Sequence, residues 1–364
     1  METKKILILS NHFITLYNFR RELISRLIER GHKVYISMPD DERNVFFVRQ
    51  GCVLIHTGMS RRGMNPVQDL SLLRQYKRIM RHVRPDIILS YTVKPNIYGT
   101  MASNGLHLRQ VCNITGTGAT FLKENFLAGT VRMLYRHSIK KAYKVFFQNT
   151  GDRDYFVEHG MVRDNWDMLP GSGVNLEQHR FTELPGDGSV GFIYIGRIMA
   201  VKGVQQFLDC AKAIRPKHPE TRFYMAGFIE EERFRPIVDE YVKAGYVEYL
   251  GFRDDIDSWI EKCQCTVLPS LGGEGVPNVL IESAAGGRVC IASRINGSAD
   301  AVDDGVTGYL YTPGRTDELV ACVEKFLSLS HEQRAAMGLA GRRKVEKEFD
   351  RKIVIDKYIR EVEQ

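Results

Sequence analysis

Long apolar runs are missing from this chain of 364 residues. None approaches the roughly 18 residues that cross a bilayer as a helix, so an integral membrane protein is not expected. The first apolar stretch, Ile6–Leu9, is short, and polar Asn11 and His12 follow it. Because a signal peptide needs a longer apolar core, we interpret this stretch as a first β-strand and expect a cytoplasmic protein.

Paired cysteines and a dinucleotide fingerprint are also lacking. The seven cysteines are scattered, mostly within apolar segments, which is typical of reduced thiols in a protein core. Cys263 and Cys265 lie close together, but no second Cys/His pair has the spacing of a zinc site. Residues 10–14, after the first strand, lack the G-x-G-x-x-G pattern, which argues against a nicotinamide cofactor.

Acidic residues are scarce in the first half of the chain. Residues 1–180 hold 27 Lys and Arg against 15 Asp and Glu, a net charge of +12, whereas residues 181–364 hold 24 against 29, a net charge of −5. A basic surface can bind nucleic acid, anionic lipid or an anionic substrate. The basic residues concentrate at 74–84 and 132–144, and an apolar segment, 121–129, precedes the second cluster. Solvent-exposed helix faces would explain these basic clusters, but the apolar segment before the second cluster favours contact with a membrane surface.

Strand-like and helix-like segments alternate through both halves, which predicts an α/β protein with two doubly wound domains. Residues 1–180 form the first predicted domain and residues 181–350 the second, with a hinge at Phe181–Gly188 and a final helix at 351–364. The predicted strands lie near residues 5–9, 32–38, 52–56, 87–91, 111–114 and 145–148, then 189–195, 222–226, 247–250, 266–268, 289–292 and 308–311. The predicted helices lie near residues 18–30, 69–82, 96–104 and 129–141, then 203–214, 231–243, 255–263, 277–286, 316–327 and 330–347.

Two carboxylates, Glu274 and Glu282, are separated by seven residues in the second half. A glycine turn at Gly272-Gly273 follows a predicted strand, and Pro277 is typical of the first turn of a helix. Glu274 would therefore lie in the loop before this helix, and Glu282 within it. The amide groups and the dipole at the start of a helix favour an anionic ligand.

Arg197 and Lys202 follow another predicted strand of the same half, so they can reach the same edge of the sheet. Arginine and lysine neutralise a diphosphate, and carboxylates accept hydrogen bonds from sugar hydroxyl groups. A nucleotide-sugar presents a ribose, two phosphates and a hexose in that order. The two glutamates could instead be solvated charges near a helix end, but the glycine turn, the proline and the basic pair favour a ligand site.

An ordered set of motifs resembles the signature of the retaining family 4 glycosyltransferases. The set comprises Gly196-Arg197, Lys202-Gly203, Gly251–Ile256, Pro269-Ser270, Glu274–Glu282 and Asp304–Gly308. The first half is similar to a narrower group, the enzymes that extend undecaprenyl-diphosphate-linked sugars, which includes N-acetylgalactosaminyltransferases of bacterial glycan assembly. This second similarity is carried by Tyr17–Arg20, Ser60-Arg61, Asn65-Pro66, Lys94, Asn96 and Ile114–Gly118.

The resemblance implies the GT-B fold, in which two Rossmann-like domains face a central cleft. The second domain would hold a UDP-sugar donor and the first a polyprenyl-diphosphate-linked glycan acceptor, while the helix at 351–364 would cross back to the first domain. The resemblance also implies transfer of an N-acetylhexosamine or hexose, with retention of configuration at the anomeric carbon. No cofactor and no metal are expected, because Arg197, Lys202 and the start of the helix near Pro277 would offset the charge of the diphosphate. The nearest acidic cluster, residues 254–257, would lie beside the nucleotide base. The protein would work peripherally on the inner face of the cell membrane.

The same resemblance implies roles for individual residues. The catalytic residues would be Glu274, Arg197 and Lys202, of which Arg197 and Lys202 offset the negative charge that develops on the leaving diphosphate. The donor-binding residues would be Gly196, Arg197, Lys202, Phe252, Arg253, Glu274, Gly275, Val276, Pro277, Asn278 and Glu282. The acceptor-binding residues would be Arg20, Arg61, Lys94, Asn96, Thr117 and Gly118. Gly118 stands where many relatives carry a histidine, so no general-base histidine is assigned.

Other activities fit these residues less well. In one continuous helix, eight positions separate backbones by roughly 12 Å, whereas the carboxyl groups of glycosidase pairs lie roughly 5 to 9.5 Å apart. A sugar-nucleotide epimerase or a phosphorylase on the same fold is a closer alternative, and it would differ in whether an acceptor is consumed. A non-catalytic basic module that binds membranes or nucleic acid would have no need of Arg197, Lys202, Glu274 and Glu282. Nucleic acid is therefore not expected as a partner.

Overall fold

The computed structural model describes residues 2–59, 65–116, 126–186 and 188–364. The chain divides into two compact units, one formed by Met1–Ser172 with Lys352–Gln364 and the other by Gly173–Arg351. The boundary therefore lies eight residues before the predicted one. In the described ranges, no helix combines the length and the apolar content needed to cross a bilayer.

The first unit is built on a parallel sheet of seven strands in the order β3-β2-β1-β4-β5-β6-β7. Its strands are β1 (Lys5–Leu9), β2 (Lys33–Met38), β3 (Val53–His56), β4 (Ile87–Tyr91), β5 (Arg109–Ile114), β6 (Lys144–Phe147) and β7 (Trp166–Met168). Central β1 pairs with β2 on one side, where Leu7 lies beside Tyr35, and with β4 on the other, where Leu7 lies beside Ile88. The strand order reverses between β1 and β4, and ligands bind at such switch points in open α/β sheets.

Helices cover both faces of this sheet, as the apolar strands require. They are α1 (Phe13–Glu29), α2 (Val45–Arg49), α3 (Pro66–Val83), α4 (Thr100–Asn104), α5 (Phe126–Ser138) and α6 (Thr150–Glu158), with a π-helical turn at Pro95–Gly99. Ile6 and Ile8 face one hydrophobic cluster, whereas Leu7 and Leu9 face another. This alternation is the period-two pattern of a strand buried on both sides.

The second unit repeats the design with six parallel strands in the order β10-β9-β8-β11-β12-β13. Its strands are β8 (Val190–Ile195), β9 (Thr221–Ala226), β10 (Glu248–Gly251), β11 (Cys265–Leu268), β12 (Val289–Ser293) and β13 (Gly308–Tyr311). Its helices are α7 (Val204–Ile214), α8 (Arg235–Lys243), α9 (Ile256–Lys262), α10 (Asn278–Ala285), α11 (Asn296–Ala301), α12 (Thr316–Leu327) and α13 (His331–Glu348). The predicted α/β class with two doubly wound domains is confirmed.

Several element boundaries differ from the prediction for local reasons. Helix α1 begins at Phe13 instead of residue 18, because the His12 ring nitrogen Nδ1 accepts a hydrogen bond from the Ile14 amide at 3.1 Å and caps the helix. The elements β7, α2, α6 and α11 were not predicted, and each is short, between three and nine residues. Short elements depend on tertiary packing more than on local pattern.

The predicted hinge is attached to the second unit. Arg288, only 1% exposed, donates hydrogen bonds from its guanidinium to the Thr182 carbonyl at 2.9 Å and to the Glu183 carbonyl at 3.3 Å. The Pro185 carbonyl accepts from Gln264 Nε2 at 2.8 Å. Residues 182–185 are therefore bound to the second unit, so the hinge prediction is wrong for this stretch.

The final helix, α14 (Arg351–Glu363), packs its apolar side against the sheet of the first unit. Tyr358 is fully buried there, and its hydroxyl accepts a hydrogen bond from Asn113 Nδ2 at 2.6 Å. Arg30 forms a two-pronged ion pair with Glu363, with N–O distances of 2.5 and 2.8 Å. The helix thus completes the core of the first unit.

Candidate functional site

The candidate donor site lies at the switch point of the second sheet. Strands β8 and β11 are neighbours there, with Phe192 paired to Cys265 and Ile193 to Thr266. Because both strands are parallel, the loops that follow them leave the sheet at the same edge. One loop carries Gly196 to Gly203 and the other carries Pro269 to Pro277. The topology therefore brings the loop of Arg197 and Lys202 beside the loop of Glu274.

Lys202 and Glu274 meet directly at this edge. The Lys202 ammonium donates to Glu274 Oε1, and both side chains are mostly buried, with exposures of 19% and 16%. The Ser270 hydroxyl donates to the same carboxylate oxygen at 2.8 Å. A partly buried carboxylate that is fixed by a cation and a hydroxyl is held in one orientation.

Backbone contacts fix the two loops against each other. The Leu271 amide donates to the Val201 carbonyl at 2.8 Å. Gly203 adopts a left-handed φ of +69°, and a Cβ at this position would overlap the carbonyl oxygen of Pro269. Lys202 is thereby held beside the second loop by the main chain as well as by its ion pair.

The loop from Gly272 to Pro277 leads into α10. Gly272 and Gly273 have φ angles of +146° and +75°, which favour glycine and form the predicted turn. Pro277 immediately precedes α10 and is not its first residue, a small correction to the prediction. A Cβ on Gly297 would overlap the Gly275 carbonyl, so α11 packs tightly against this loop. Gly275, Val276 and Pro277 are buried, and Asn278 begins the helix.

Arg197 points toward a different acidic residue. Its Nη1 lies 3.9 Å from Glu230 Oε1, and its side chain is 46% exposed. The Tyr194 hydroxyl donates to the Arg197 carbonyl at 2.8 Å and fixes the backbone after β8. The Gly196 amide donates to the Ala226 carbonyl at 3.0 Å. The Arg197 guanidinium is therefore only weakly held and is accessible from solvent.

Glu282 lies in the middle of α10, as predicted. Burial raises the pKa of its carboxyl group, while the charges of His179 and Arg351 act in the opposite direction. His179 itself pairs with Asp257 at 2.8 Å, between Nδ1 and Oδ1. Glu282 is thus a partly buried acid whose neighbours include His179, Arg351 and Asp257.

The segment after β10 places one aromatic ring and one ion pair at the surface. The Phe252 residue is 66% exposed, which is unusual for a large apolar residue. Arg253 forms a two-pronged pair with Asp255, at 2.7 Å from Nε and 2.6 Å from Nη2. That pairing lowers the pKa of the Asp255 carboxyl group.

Two segments, residues 152–154 and 255–257, have the D-x-D spacing of some metal-dependent transferases. The aspartates of both segments form contacts with other side chains of the protein. Asp152 accepts from the side-chain amide of Asn149 at 2.8 Å at the start of α6, and Asp154 pairs with Arg153 at 2.7 Å. Asp255 and Asp257 pair with Arg253 and His179. Among the described residues, no group of three or more His, Cys, Asp or Glu side chains is arranged to hold a metal ion.

Two of the predicted acceptor residues of the first unit, Arg20 and Asn96, lie in the protein interior. Arg20 is 2% exposed, and its guanidinium lies 4.9 Å from the centre of the Tyr91 ring and 5.7 Å from that of Tyr358. Asn96 is also buried, donating to the Asn113 carbonyl at 2.8 Å and accepting from Ser90 Oγ at 2.7 Å. These contacts give Arg20 and Asn96 internal roles, and their acceptor roles stay predictions.

Lys94 donates to Asp69 Oδ1 at 2.9 Å, a contact that was not predicted from the sequence. Arg61, Thr117 and Gly118 lie outside the described residues. Asp69 could have been singled out from the sequence, because it is an acidic residue in the first turn of a helix that begins after Asn65. Ser270 was part of the Pro269-Ser270 motif, but its bond to Glu274 was missed.

Two family models match most of the chain. The model described as glycosyl transferases group 1 matches residues 189–328, and the model described as a glycosyl transferase 4-like domain matches residues 18–171. The first match contains the whole loop arrangement around Lys202, Glu274 and Glu282. The second contains the first-unit strands from β2 to β7.

Curated relatives include an N-acetylgalactosaminyltransferase and a kanosaminyltransferase. An N,N'-diacetylbacillosaminyl-diphospho-undecaprenol α-1,3-N-acetylgalactosaminyltransferase of Campylobacter jejuni is 24% identical, and the alignment covers 97% of this chain and 96% of the relative. An α-D-kanosaminyltransferase of Streptomyces kanamyceticus is 31% identical over 53% of each chain.

Solved structures with the same fold cover almost the whole chain. A glycosyltransferase of Rickettsia africae superposes with a TM-score of 0.84 at 16% identity, covering 100% of this chain and 98% of the other. The Anabaena protein HepE, solved with UDP and glucose, superposes with a TM-score of 0.79 at 18% identity, covering 98% of each chain. At these identities the likeness establishes the fold, and the predicted GT-B class is confirmed.

Proposed function

The chain belongs to the glycosyltransferases described by the group 1 and 4-like family models, and from this premise we propose that it transfers a sugar from a UDP-sugar to a polyprenyl-diphosphate-linked glycan. The proposal includes retention of configuration at the anomeric carbon and no requirement for a divalent metal. The observation that carries it is the Lys202–Glu274 pair, held by Ser270 at the switch point of the second sheet, beside the start of α10.

The chemistry of the donor follows from the charges at this edge. Cleavage of the bond between sugar and diphosphate leaves negative charge on the phosphate, which Lys202, Arg197 and the amides at the start of α10 can stabilise. Glu274 would accept a hydrogen bond from a hydroxyl group of the transferred sugar and hold Lys202 in position. Glu282 would accept from the ribose. Phe252 and Arg253 would lie against the nucleotide base.

No metal is needed in this scheme, since fixed cations and amides offset the charge that a metal would otherwise neutralise. Attack on the same face as the departing diphosphate would retain the configuration. The acceptor hydroxyl would then give its proton to the leaving phosphate, so no protein nucleophile takes part.

The acceptor is proposed from the first half of the chain. The Campylobacter jejuni relative, which aligns over nearly the whole length, is named for a diphospho-undecaprenol substrate. The excess of 12 positive charges in residues 1–180 suits a substrate that is anchored in an anionic membrane. We therefore propose an N-acetylhexosamine such as N-acetylgalactosamine as the transferred sugar, and peripheral attachment to the inner face of the cell membrane.

The test is turnover of a panel of UDP-sugars with a short prenyl-diphosphate-linked sugar as acceptor, in buffer containing EDTA. Lipid product and released UDP are both measured, and the anomeric configuration of the product is read by NMR. Lys202→Met and Glu274→Gln are each expected to lower the turnover rate by about 100-fold or more. The first removes a cation that stabilises the leaving phosphate, and the second removes the charged acceptor that holds the sugar and Lys202.

The structure offers a matched control for these variants. Lys217 and Glu324 form an ion pair of the same residue types at 2.9 Å on the surface of the same unit, with exposures of 61% and 42%. Lys217→Met and Glu324→Gln should leave turnover unchanged. Full activity of folded Lys202→Met would remove this ion pair from the mechanism, and conversion of the UDP-sugar without consumption of acceptor would favour an epimerase.

A further inference from the structure

A small polar cavity lies in the first unit. It has a volume of about 300 Å³, and its lining includes Gly58 and Met59 after β3, Ser71 and Leu72 of α3, and Lys94 after β4. Such a volume is at the lower end of the range for small-molecule sites, and it suits one sugar ring better than a nucleotide. Its walls come from elements at the carboxyl edge of the sheet, where α/β proteins bind ligands.

A buried ion pair forms one wall of this cavity. Lys94 Nζ lies 2.9 Å from Asp69 Oδ1, and the two side chains are 14% and 6% exposed. The pair is close to neutral as a unit, so it is compatible with an uncharged ligand. The pair still presents a carboxylate acceptor and ammonium donors at one point, which is what the hydroxyl groups of a sugar require.

The remaining wall is suited to an uncharged ring. Gln68 contributes an amide and Ser71 a hydroxyl, whereas Leu72 and Met59 contribute apolar surface for the carbon face of a sugar. The backbone is strained two residues before Lys94, since Thr92 has a left-handed φ of +75° directly after β4. Strain of this kind is common where a side chain must be aimed at a ligand.

We propose that this cavity binds the neutral sugar ring of the acceptor, through Asp69 and Lys94, and that the lipid diphosphate binds elsewhere. The inference rests on the proposed function, and it makes the predicted acceptor contact of Lys94 a contact with the sugar ring. Asp69 and Lys94 are substrate-positioning residues in this view, and neither is required for cleavage of the donor.

The first experiment measures binding without catalysis. Methyl glycosides of N-acetylglucosamine and N-acetylgalactosamine are titrated into the full chain and followed by saturation-transfer NMR. Ser71→Trp, an exposed position on the cavity wall, should abolish the signal by filling the cavity. His82→Trp, an exposed position near the other end of α3, should leave it unchanged. Equal glycoside binding by wild type and Ser71→Trp would overturn the proposal.

The second experiment separates the acceptor from the donor. Asp69→Asn and Ser71→Trp should raise the KM for the lipid-linked acceptor by about tenfold or more, because a charge-assisted hydrogen bond or the site itself is lost. Hydrolysis of the UDP-sugar in the absence of acceptor should change less than about twofold, since the donor contacts are intact. A parallel loss of donor hydrolysis in Ser71→Trp would overturn the assignment.

Prenyl diphosphate without a sugar distinguishes the two possible ligands of Lys94. If the cavity binds the ring, this compound should inhibit wild type and Ser71→Trp equally. Inhibition that disappears in Ser71→Trp would show that the diphosphate binds here and would overturn the proposal. If wild type turns over no UDP-sugar at all, the proposed function fails, and the glycoside titration still decides whether the cavity binds a sugar.

Discussion

At the scale of single residues, Gly203 shows how the backbone positions a charged group. Its φ of +69° is unfavourable for residues with a Cβ, and its close approach to the Pro269 carbonyl leaves no room for one. Gly203 directly follows Lys202, so a displacement of Gly203 would shift the backbone that carries the Lys202 side chain. A glycine is required here for two separate reasons, conformation and space.

We expect Gly203→Ala to lower the free energy of unfolding of the second unit by about 2 kcal/mol or more, and to reduce turnover as well. Gly245→Ala is the matched control, because Gly245 has a similar φ of +74°, and within the described part of the chain a Cβ added there would meet no atom closer than 4 Å. It should cost only about 1 kcal/mol, from conformation alone. Denaturant unfolding measures both, and equal losses would show that the contact with Pro269 is unimportant.

At the scale of elements, α14 illustrates a helix whose sequence pattern understates its role. Its apolar residues Val354, Tyr358 and Val362 are buried in the core of the first unit, although the chain reaches them only after completing the second. The Asn113–Tyr358 hydrogen bond, at 2.6 Å, joins the helix to β5 in a fully buried setting. This element therefore contributes to the stability of the first unit from the far end of the sequence.

We expect Tyr358→Phe to destabilise the first unit by about 1 to 2 kcal/mol, because the Asn113 amide loses its buried partner. The control is Tyr143→Phe, since the Tyr143 hydroxyl donates to Gln364 at 3.2 Å in an exposed position. That change should cost less than about 0.5 kcal/mol. Thermal unfolding would contradict the prediction if the two variants melted at the same temperature.

At the scale of the whole molecule, the two halves of the chain differ in charge, at +12 for residues 1–180 and −5 for residues 181–364. Part of the positive charge lies on α3, where Arg74, Arg78 and Arg81 are exposed. A protein that takes a lipid-linked substrate from an anionic membrane would benefit from such a distribution, which attracts it to the surface.

We expect the full chain to bind vesicles that contain anionic lipid and to dissociate as ionic strength rises, because screening weakens charge attraction. Changing Arg74, Arg78 and Arg81 together to Glu should weaken vesicle binding by more than about tenfold. The same change at exposed Lys243, Arg343 and Lys347 of the second unit should have little effect. Co-sedimentation measures both, and stronger retention by oligonucleotides than by vesicles would contradict the membrane proposal.

Sequence patterns were sufficient for the fold because strand and helix periodicity is local. Strands β1, β4 and β13 begin and end where predicted, and so does α12. The convergence of the Lys202 and Glu274 loops was also foreseeable, since parallel strands at a switch point release their loops at the same edge. By contrast, the attachment of residues 182–185 to Arg288 depends on a buried residue about a hundred positions away, which no local pattern reveals.

The sequence by itself determined the two parallel sheets and the edge where the loops of Lys202 and Glu274 meet, because periodicity and connectivity fix the topology. Only the tertiary structure decided which partner each charge has. It paired Lys202 with Glu274, turned Arg197 toward Glu230, and joined Lys94 to Asp69. The physical reason is that ion pairs form between side chains within a few ångströms of each other, and such distances are set by packing between elements that are remote in sequence.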